Sequence, residues 1–247
     1  GDFYYAPPSG FLAICSANLS APAVVPNKNF NTILYTGTGS SASHTLGFRP
    51  NLVWGKKRNA GQNHWLINDV GDVNKWLATD NSNNEGTEAN GTTFDANGFT
   101  TASNDLFYNN GGNYVVWAWK GNGTGTAVSN TSGSINSTVS ANTSAGISII
   151  NFQGNATSGA TFGHGLSSAP ELVIIKNRDT DGYGWLTGFS ALTGGFEKYL
   201  ALGTTGGVAD DTNIWNDTAP SSTLITLGSD TFGNKNGDDH ICFAFHS

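Results

Sequence analysis

The sequence predicts an all-β fold built from two tandem, homologous β-sandwiches of jelly-roll type. Three observations predict it. The 247 residues include 33 glycines and only 12% charged residues. Short apolar segments alternate with Gly-, Asn- and Asp-rich turns, which is typical of strands joined by tight connections. Finally, the chain repeats itself. No long stretch shows the 3.6-residue apolar period of an amphipathic helix, so helices are expected to contribute little.

The internal repeat defines the order of the elements. HTLGFRPNLVWGKKR (44–58) matches HGLSSAPELVIIKNR (164–178) at an offset of 120 residues, and Phe99–Lys120 aligns without a gap with Ile225–His246. Because a missed repeat misassigns a whole fold, this alignment takes priority over local propensity. We therefore predict a duplicated domain.

Four segments follow from the alignment. Residues 1–20 are expected to be the end of an upstream domain, and residues 21–120 form the first sandwich repeat. Residues 121–138 are rich in Gly, Ser, Thr and Asn and predict a flexible or extended linker. Residues 139–247 form the second sandwich repeat. The opening GDFYYAPPSG lacks the features of a signal peptide, and the chain is expected to be a piece of a longer protein.

Individual strands can be placed within each repeat. ELVIIK, beginning at Glu171, is a continuous apolar run, which favours a strand buried in the centre of a sandwich. YVVWAWK (114–120) and HICFAFH (240–246) align with each other and carry large side chains on both faces. These strands are expected to form the core sheet of each repeat.

Charge and hydropathy argue against two classes of partner. The chain has a net charge of −7 and a pI near 5.0, so it is negatively charged at neutral pH and repels the phosphate groups of nucleic acid and anionic lipid. No apolar run approaches the roughly 20 residues that a membrane-spanning helix requires. We therefore expect neither nucleic-acid binding nor membrane insertion.

No catalytic motif is present. The sequence contains no nucleophile elbow, no zinc-protease motif, no phosphate-binding loop and no dinucleotide fingerprint. A pair of carboxylates, as in glycoside hydrolases, could still meet in space. The prediction is a non-enzymatic protein without a cofactor.

Six residues are candidates for surface contact with a ligand. Trp76 and Trp215 lie in polar surroundings, and tryptophan faces stack on sugar rings. Two basic pairs, Lys56/Arg58 and Lys176/Arg178, recur at matched positions of the repeats and could form a binding patch. The alternative, which we favour, is that the basic residues pair with Asp side chains at strand ends.

Other polar residues are interpreted structurally. The repeated His44 and His164 are expected to be hydrogen-bonded packing residues. In DTDGYG (179–184), Asp179 and Asp181 resemble the start of a calcium loop, but the remaining ligands are missing and a turn is favoured. Cys242 is expected to be a buried thiol, and its pairing with Cys15 is left open.

Several motifs carry a family resemblance. PPSGFLAICSANL, FNTILYTGTG, TFDANGFT and GSINSTVSANTSAGISIINFQGN occur in order, together with the repeated stretches quoted above. This pattern resembles a repeated β-domain of tail-fibre and other virion structural proteins of tailed bacteriophages, and YYAPPSGFLAIC resembles the closing strand of the SPRY-like domain that often precedes it.

The resemblance implies a virion-surface, extracellular protein. Its role would be structural, as a fibre, spike or decoration component, with attachment to a host as a second task. The implied partners are other virion proteins, further copies of the chain (a trimer by analogy) and a host cell-surface glycan. The resemblance supplies no catalytic residues. The alternatives are a soluble carbohydrate-binding module or lectin with one site per repeat, and a glycan-degrading enzyme.

Overall fold

The computed structural model describes residues 24–87, 91–102 and 109–247. The predicted all-β class is confirmed, because the described chain folds mainly into antiparallel sheets. Within these ranges, helical structure is limited to short elements. These are 3-10 turns at Pro26–Lys28 and Gly195–Glu197 and two single-turn helices, α1 (Thr212–Trp215) and α2 (Thr231–Asn234).

The first half of the described chain forms one large and one small sheet. Its strands are β1 (Phe30–Thr36), β2 (Ala42–Thr45), β3 (Leu52–Lys57), β4 (Trp65–Asn68), β5 (Lys75–Ala78), β6 (Gly86–Thr87), β7 (Thr93–Asp95), β8 (Gly98–Thr101) and β9 (Asn113–Trp119). The large sheet has the order β1-β9-β3-β4-β5-β6, and the small sheet has the order β2-β8-β7.

The second half has a corresponding pair of sheets. Its strands are β10 (Val128–Asn130), β11 (Ser137–Asn142), β12 (Ile147–Gln153), β13 (Ala160–Gly163), β14 (Leu172–Asn177), β15 (Trp185–Phe189), β16 (Lys198–Leu202), β17 (Ala209–Asp210), β18 (Leu224–Leu227) and β19 (Asp239–Phe245). The large sheet has the order β10-β11-β12-β19-β14-β15-β16-β17, and β13 pairs with β18.

Strands that the repeat alignment pairs occupy equivalent places in the two large sheets. The order β1-β9-β3-β4-β5-β6 corresponds strand by strand to β12-β19-β14-β15-β16-β17. The register agrees as well, since Tyr35 lies opposite Tyr114 and Phe152 lies opposite His240 at aligned positions. In the second sheet, β10 and β11 extend the edge beyond β12.

The sheets stack in four layers. Each small sheet covers one face of its large sheet, with Val53, Val116 and Phe99 in the first core. Ile175, Cys242 and the small-sheet residues of β13 and β18 form the second core. The opposite faces of the two large sheets then pack against each other. Both faces of each large sheet are therefore at least partly covered, which accounts for large side chains on both sides of β9 and β19.

The interface between the large sheets is a shared apolar cluster. Buried members come from both halves of the chain: Leu52, Leu66, Val70, Leu77, Ile149, Trp185, Ile241 and Phe243. Burying an aliphatic or aromatic side chain of this size contributes roughly 1.5–3 kcal/mol. An interface of this kind joins the two repeats into one packed body.

Residues 121–138 make more tertiary contacts than a flexible linker would. The backbone N–H groups of Gly121 and Gly123 donate to Asn51 Oδ1 at 2.9 and 3.0 Å. Further along, Val128–Asn130 form β10, and Ile135 is only 6% exposed in the second core. The composition of this segment does not reveal these contacts, because most of its Gly, Ser, Thr and Asn residues lie between the few residues that make them.

Some predictions concern residues outside the described ranges. Residues 1–20 and Cys15 belong to this part, so the upstream segment and the pairing of Cys15 with Cys242 stay predictions. Cys242 itself is fully buried in the second core. Among the described residues, no helix has the length and apolarity needed to cross a membrane.

Candidate functional site

Trp215 does not contact solvent, contrary to the sequence-based expectation. Its side chain is 1% exposed, and its ring packs edge-on against Phe196 with centroids 5.5 Å apart. The physical reason is local. Asp211 caps α1 by accepting a hydrogen bond from the Asn213 N–H, and this single turn directs Trp215 into the core while its polar neighbours face outward.

Trp76 is only partly exposed. Its ring packs edge-on against Trp65, with centroids 4.4 Å apart. The ring also lies over Gly86 of β6, where a Cβ atom would come within 2.2 Å of it. The strand β6 thus covers part of the Trp76 ring.

The two basic pairs do not form one patch. Lys56 is partly exposed and donates to the Gln62 carbonyl at 2.5 Å, and Arg58 is exposed. The aligned Lys176 and Arg178 are 0% and 8% exposed. The patch hypothesis is therefore wrong for Lys176 and Arg178, because these two side chains hold the halves of the chain together.

An inter-repeat clamp, which we define as residues 78–85 against residues 176–185, explains this burial. Arg178 forms a bidentate ion pair with Glu85, with Nη2–Oε2 at 2.9 Å and Nε–Oε1 at 3.1 Å. Lys176 Nζ donates to the carbonyls of Ser82, at 3.1 Å, and Tyr183. The partner of Arg178 is thus a glutamate of the other repeat rather than a nearby aspartate.

Burial perturbs the ionisation of the clamp. It lowers the pKa of Lys176 to about 8, although Asp181 favours the charged ammonium. It also raises the pKa of Glu85, an effect that the hydrogen bonds and charge of Arg178 oppose. Both pKa shifts favour the neutral form of the side chain, which indicates that the clamp is poorly hydrated.

Asp181 and the backbone carbonyl of Asp179, which accepts from Asn84 Nδ2 at 3.1 Å, belong to the same clamp. Asp181 Oδ1 accepts from the Asn84 N–H at 2.6 Å, and Asp179 Oδ2 accepts from the Asp239 N–H at 2.7 Å. Within the described ranges, no group of three or more His, Cys, Asp or Glu side chains could hold a metal ion. The geometry of these two aspartates is that of a hydrogen-bonded turn.

The two repeated histidines are packed. His164 is fully buried, its Nδ1 accepts from the Leu166 N–H and its Nε2 lies 3.2 Å from the Ser221 carbonyl. His44 packs against the rings of Tyr35 and Phe99, with centroids 4.0 and 4.9 Å away. Burial lowers the pKa of both histidines.

A cleft lies between the two large sheets of the described chain. Its volume is about 610 Å³, within the usual range for small-molecule sites. It lies beside the shared apolar cluster, and its lining comes from both large sheets. Its lining residues are Leu52, Trp54, His64, Leu66, Thr79, Asp80, Trp119, Ile174, Trp185, Leu202–Thr205, Phe243 and Phe245.

The cleft has an apolar floor and a polar rim. Leu52, Trp185 and Phe243 are almost fully buried at its base. Trp54 and Trp119 form part of one wall, with ring centroids 6.5 Å apart, and Phe245 belongs to the opposite sheet. The rim carries the exposed residues Asp80, Thr204 and Thr205, together with the partly exposed His64 and Thr79.

Two of the three indole N–H groups of the cleft, those of Trp54 and Trp185, are already hydrogen-bonded within the protein. Trp54 Nε1 donates to Thr79 Oγ1 at 3.0 Å, and Trp185 Nε1 donates to the Ala78 carbonyl at 3.1 Å. These two rings therefore offer the cleft their carbon surface.

A family model described as a domain of unknown function (DUF7483) matches residues 25–247. The chain belongs to this family. No curated protein and no solved structure matches the chain. The DUF7483 match spans both halves of the chain, including the inter-repeat clamp and the cleft.

The cleft of this DUF7483 chain is not among the sites predicted from the sequence. Its walls combine Trp54 and Trp119 of the first repeat with Phe243 and Phe245 of the second. The available signal was that β9 and β19 carry aromatic residues on the face away from their own sandwich core. Two strands with a second apolar face require a second covering layer, and where that layer ends a cleft can form.

Proposed function

We propose that the protein is a non-enzymatic structural component of a tailed-bacteriophage virion, located in a fibre, spike or decoration protein on the particle surface. The observation that carries the proposal is the fusion of the two repeats. The shared apolar cluster and the inter-repeat clamp join them through buried contacts, so a pair of repeats acts as one stiff unit. A stiff unit with few charged residues suits an exposed, extended assembly. The sequence resemblance supports the same role.

Other virion proteins and further copies of the chain are the proposed partners, with a trimer suggested by analogy alone. A non-enzymatic role accords with the cleft chemistry. Among its described lining residues, Asp80 supplies the one carboxylate, whereas glycoside hydrolysis requires two at roughly 5–10 Å.

Peptide mass spectrometry of purified particles tests the proposal. Phage are grown on the host, banded on a density gradient, and compared with the soluble fraction of the lysate. We expect peptides of this chain at a fixed ratio to the other virion proteins in the banded particles. Recovery in the soluble fraction alone would refute a structural role.

Host-glycan binding is a second candidate, favoured by a row of aromatic rings on the first large sheet, two of which, Trp54 and Trp119, also line the cleft. Phe30 lies 5.0 Å from Trp119, and Trp54 lies 5.1 Å from Trp117, measured between ring centroids. Phe30 is 39% exposed, and the tryptophans are partly exposed. Calorimetric titration with host surface oligosaccharides checks this role. We expect Trp117→Ala to abolish the binding heat, and a protein that binds no oligosaccharide would exclude the role.

A further inference from the structure

We propose that the cleft between the two large sheets binds a small amphiphile with a flat, apolar ring body and a neutral or cationic polar end. This inference is independent of the virion role and competes with the glycan role, because Trp54 and Trp119 would belong to both sites. It rests on the walls, the rim and the shape of the cleft.

The walls select an apolar body. Trp54, Trp119 and Phe245 present ring surfaces, and Leu66 and Ile174 add aliphatic surface. Because the N–H groups of Trp54 and Trp185 are bonded to Thr79 and Ala78, neither can donate to a ligand. A sugar needs hydrogen bonds along its length, since its unpaired hydroxyls would otherwise lose water without compensation. An apolar ring has no such requirement.

The shape selects a flat molecule. Trp54 and Trp119 stand on the first large sheet, whereas Phe243, Phe245 and Ile174 stand on the second. A ligand in the cleft therefore contacts aromatic rings from both large sheets, and aromatic faces favour offset stacking on flat rings. A volume of about 610 Å³ suits one small molecule.

The rim selects the charge of the polar end. Asp80 Oδ1 accepts a hydrogen bond from the His64 N–H at 3.2 Å, and the carboxylate remains exposed beside Thr79. No Lys or Arg is among the described residues that line the cleft, and the chain carries a net charge of −7. A carboxylate or sulfonate at the rim would be repelled, whereas a hydroxyl, amide or ammonium would be accepted.

Two fluorescent dyes with the same ring body test the inference. N-phenyl-1-naphthylamine is neutral, and 8-anilino-1-naphthalenesulfonate adds one sulfonate to the same skeleton. Each is titrated into the full chain, and dye emission is read after excitation of tryptophan. We expect saturable binding of one neutral dye per chain, with the sulfonate bound more weakly.

Three variants assign the binding to the cleft. Thr205→Trp places an indole at the mouth and is expected to weaken binding of the neutral dye by roughly tenfold or more. Thr143→Trp, at an exposed position in the turn between β11 and β12, is the matched control and should leave binding unchanged. Asp80→Asn keeps the acceptor for the His64 N–H and should reduce the preference for the neutral dye by about three- to fivefold. Circular dichroism verifies that each variant is folded.

Three results would overturn the inference. The neutral dye fails to saturate, or Thr205→Trp and Thr143→Trp bind it equally well. The sulfonate binds as tightly as the neutral dye and Asp80→Asn changes nothing. Neutral oligosaccharides displace the dye from the wild-type chain, which would make the cleft a sugar site.

Discussion

Replacing Arg178 with methionine should destabilise the protein far more than the same change at Arg58. The two arginines occupy aligned positions of the repeats, but only Arg178 is buried. Its side chain is 9% exposed and that of Glu85 is 10% exposed. Methionine keeps much of the apolar volume of arginine and removes the guanidinium, so the comparison isolates the charged group.

The magnitude follows from the contacts. The Arg178 guanidinium donates two hydrogen bonds to Glu85 and one to Asn151 Oδ1 at 2.9 Å. Removing one partner of a buried ion pair leaves an uncompensated charge and costs about 3–5 kcal/mol. Arg58 is exposed, and a surface substitution of this kind changes the free energy of unfolding by about 0.5 kcal/mol or less.

The penalty should also depend on pH. Without Arg178, burial raises the pKa of Glu85 further above its unfolded value, so the folded variant takes up a proton more readily than the unfolded chain. A group with a raised folded pKa gains stability as the pH falls. The difference between wild type and Arg178→Met should therefore be smaller at pH 5 than at pH 8.

Urea unfolding followed by tryptophan fluorescence measures both effects, and Glu85→Gln completes a double-mutant cycle. The reasoning is refuted if Arg178→Met lies within about 1 kcal/mol of Arg58→Met. A penalty that grows as the pH falls would contradict the assigned role of Glu85.

Three further predictions concern other buried positions. The folded pKa of Lys176 is lowered from 10.5 to about 8. Wild type should therefore gain stability relative to Lys176→Met as the pH rises from 8 to 10.5, by roughly 3 kcal/mol in urea titrations. A stability difference between the two proteins that stays constant over this pH range would contradict the prediction. Burial lowers the pKa of His240 from 6.5 to about 4, so the unfolded state takes up a proton first as the pH falls. The free energy of unfolding of wild type should therefore fall by about 3 kcal/mol between pH 6.5 and pH 4. His240→Gln should lack this loss, and equal acid slopes would disprove it. Gly228→Ala should lower the melting temperature, because the new Cβ would lie 1.9 Å from the Asn213 carbonyl oxygen. Gly207→Ala is the control, since its Cβ would meet open space and the melting temperature should not change. Similar melting temperatures of the two variants would contradict the expected clash at Gly228.

The strands were predictable because their signals are local. The continuous apolar run at Glu171 contains most of β14, and the aligned segments YVVWAWK and HICFAFH contain most of β9 and β19. Alternation identifies which side chains share a face of a strand. It does not identify the layer that covers the second face, which here is the other repeat.

The functional candidates were less predictable because they depend on long-range contacts. Arg58 and Arg178 have the same local sequence context, but only Arg178 meets the segment that follows β5 in the other repeat. Trp215 has polar neighbours, yet a single helical turn rotates it inward. Trp54 and Trp119 become cleft residues only because the second large sheet lies opposite them.

The placement of β9 and β19 has a consequence for the order of folding. Each is the last strand of its half and lies between two earlier strands of its large sheet, β1 and β3 or β12 and β14. On a ribosome, neither large sheet can close until its final strand has emerged, and pairings of such long sequence separation form slowly. The first large sheet cannot form until β9, which ends at Trp119, has been synthesised. The apolar face that this sheet turns toward the second large sheet then stays uncovered until the second half has been made. Synthesis therefore passes through a stage in which a completed sheet awaits its partner, and this stage is when the nascent chain is most exposed to aggregation and to chaperones.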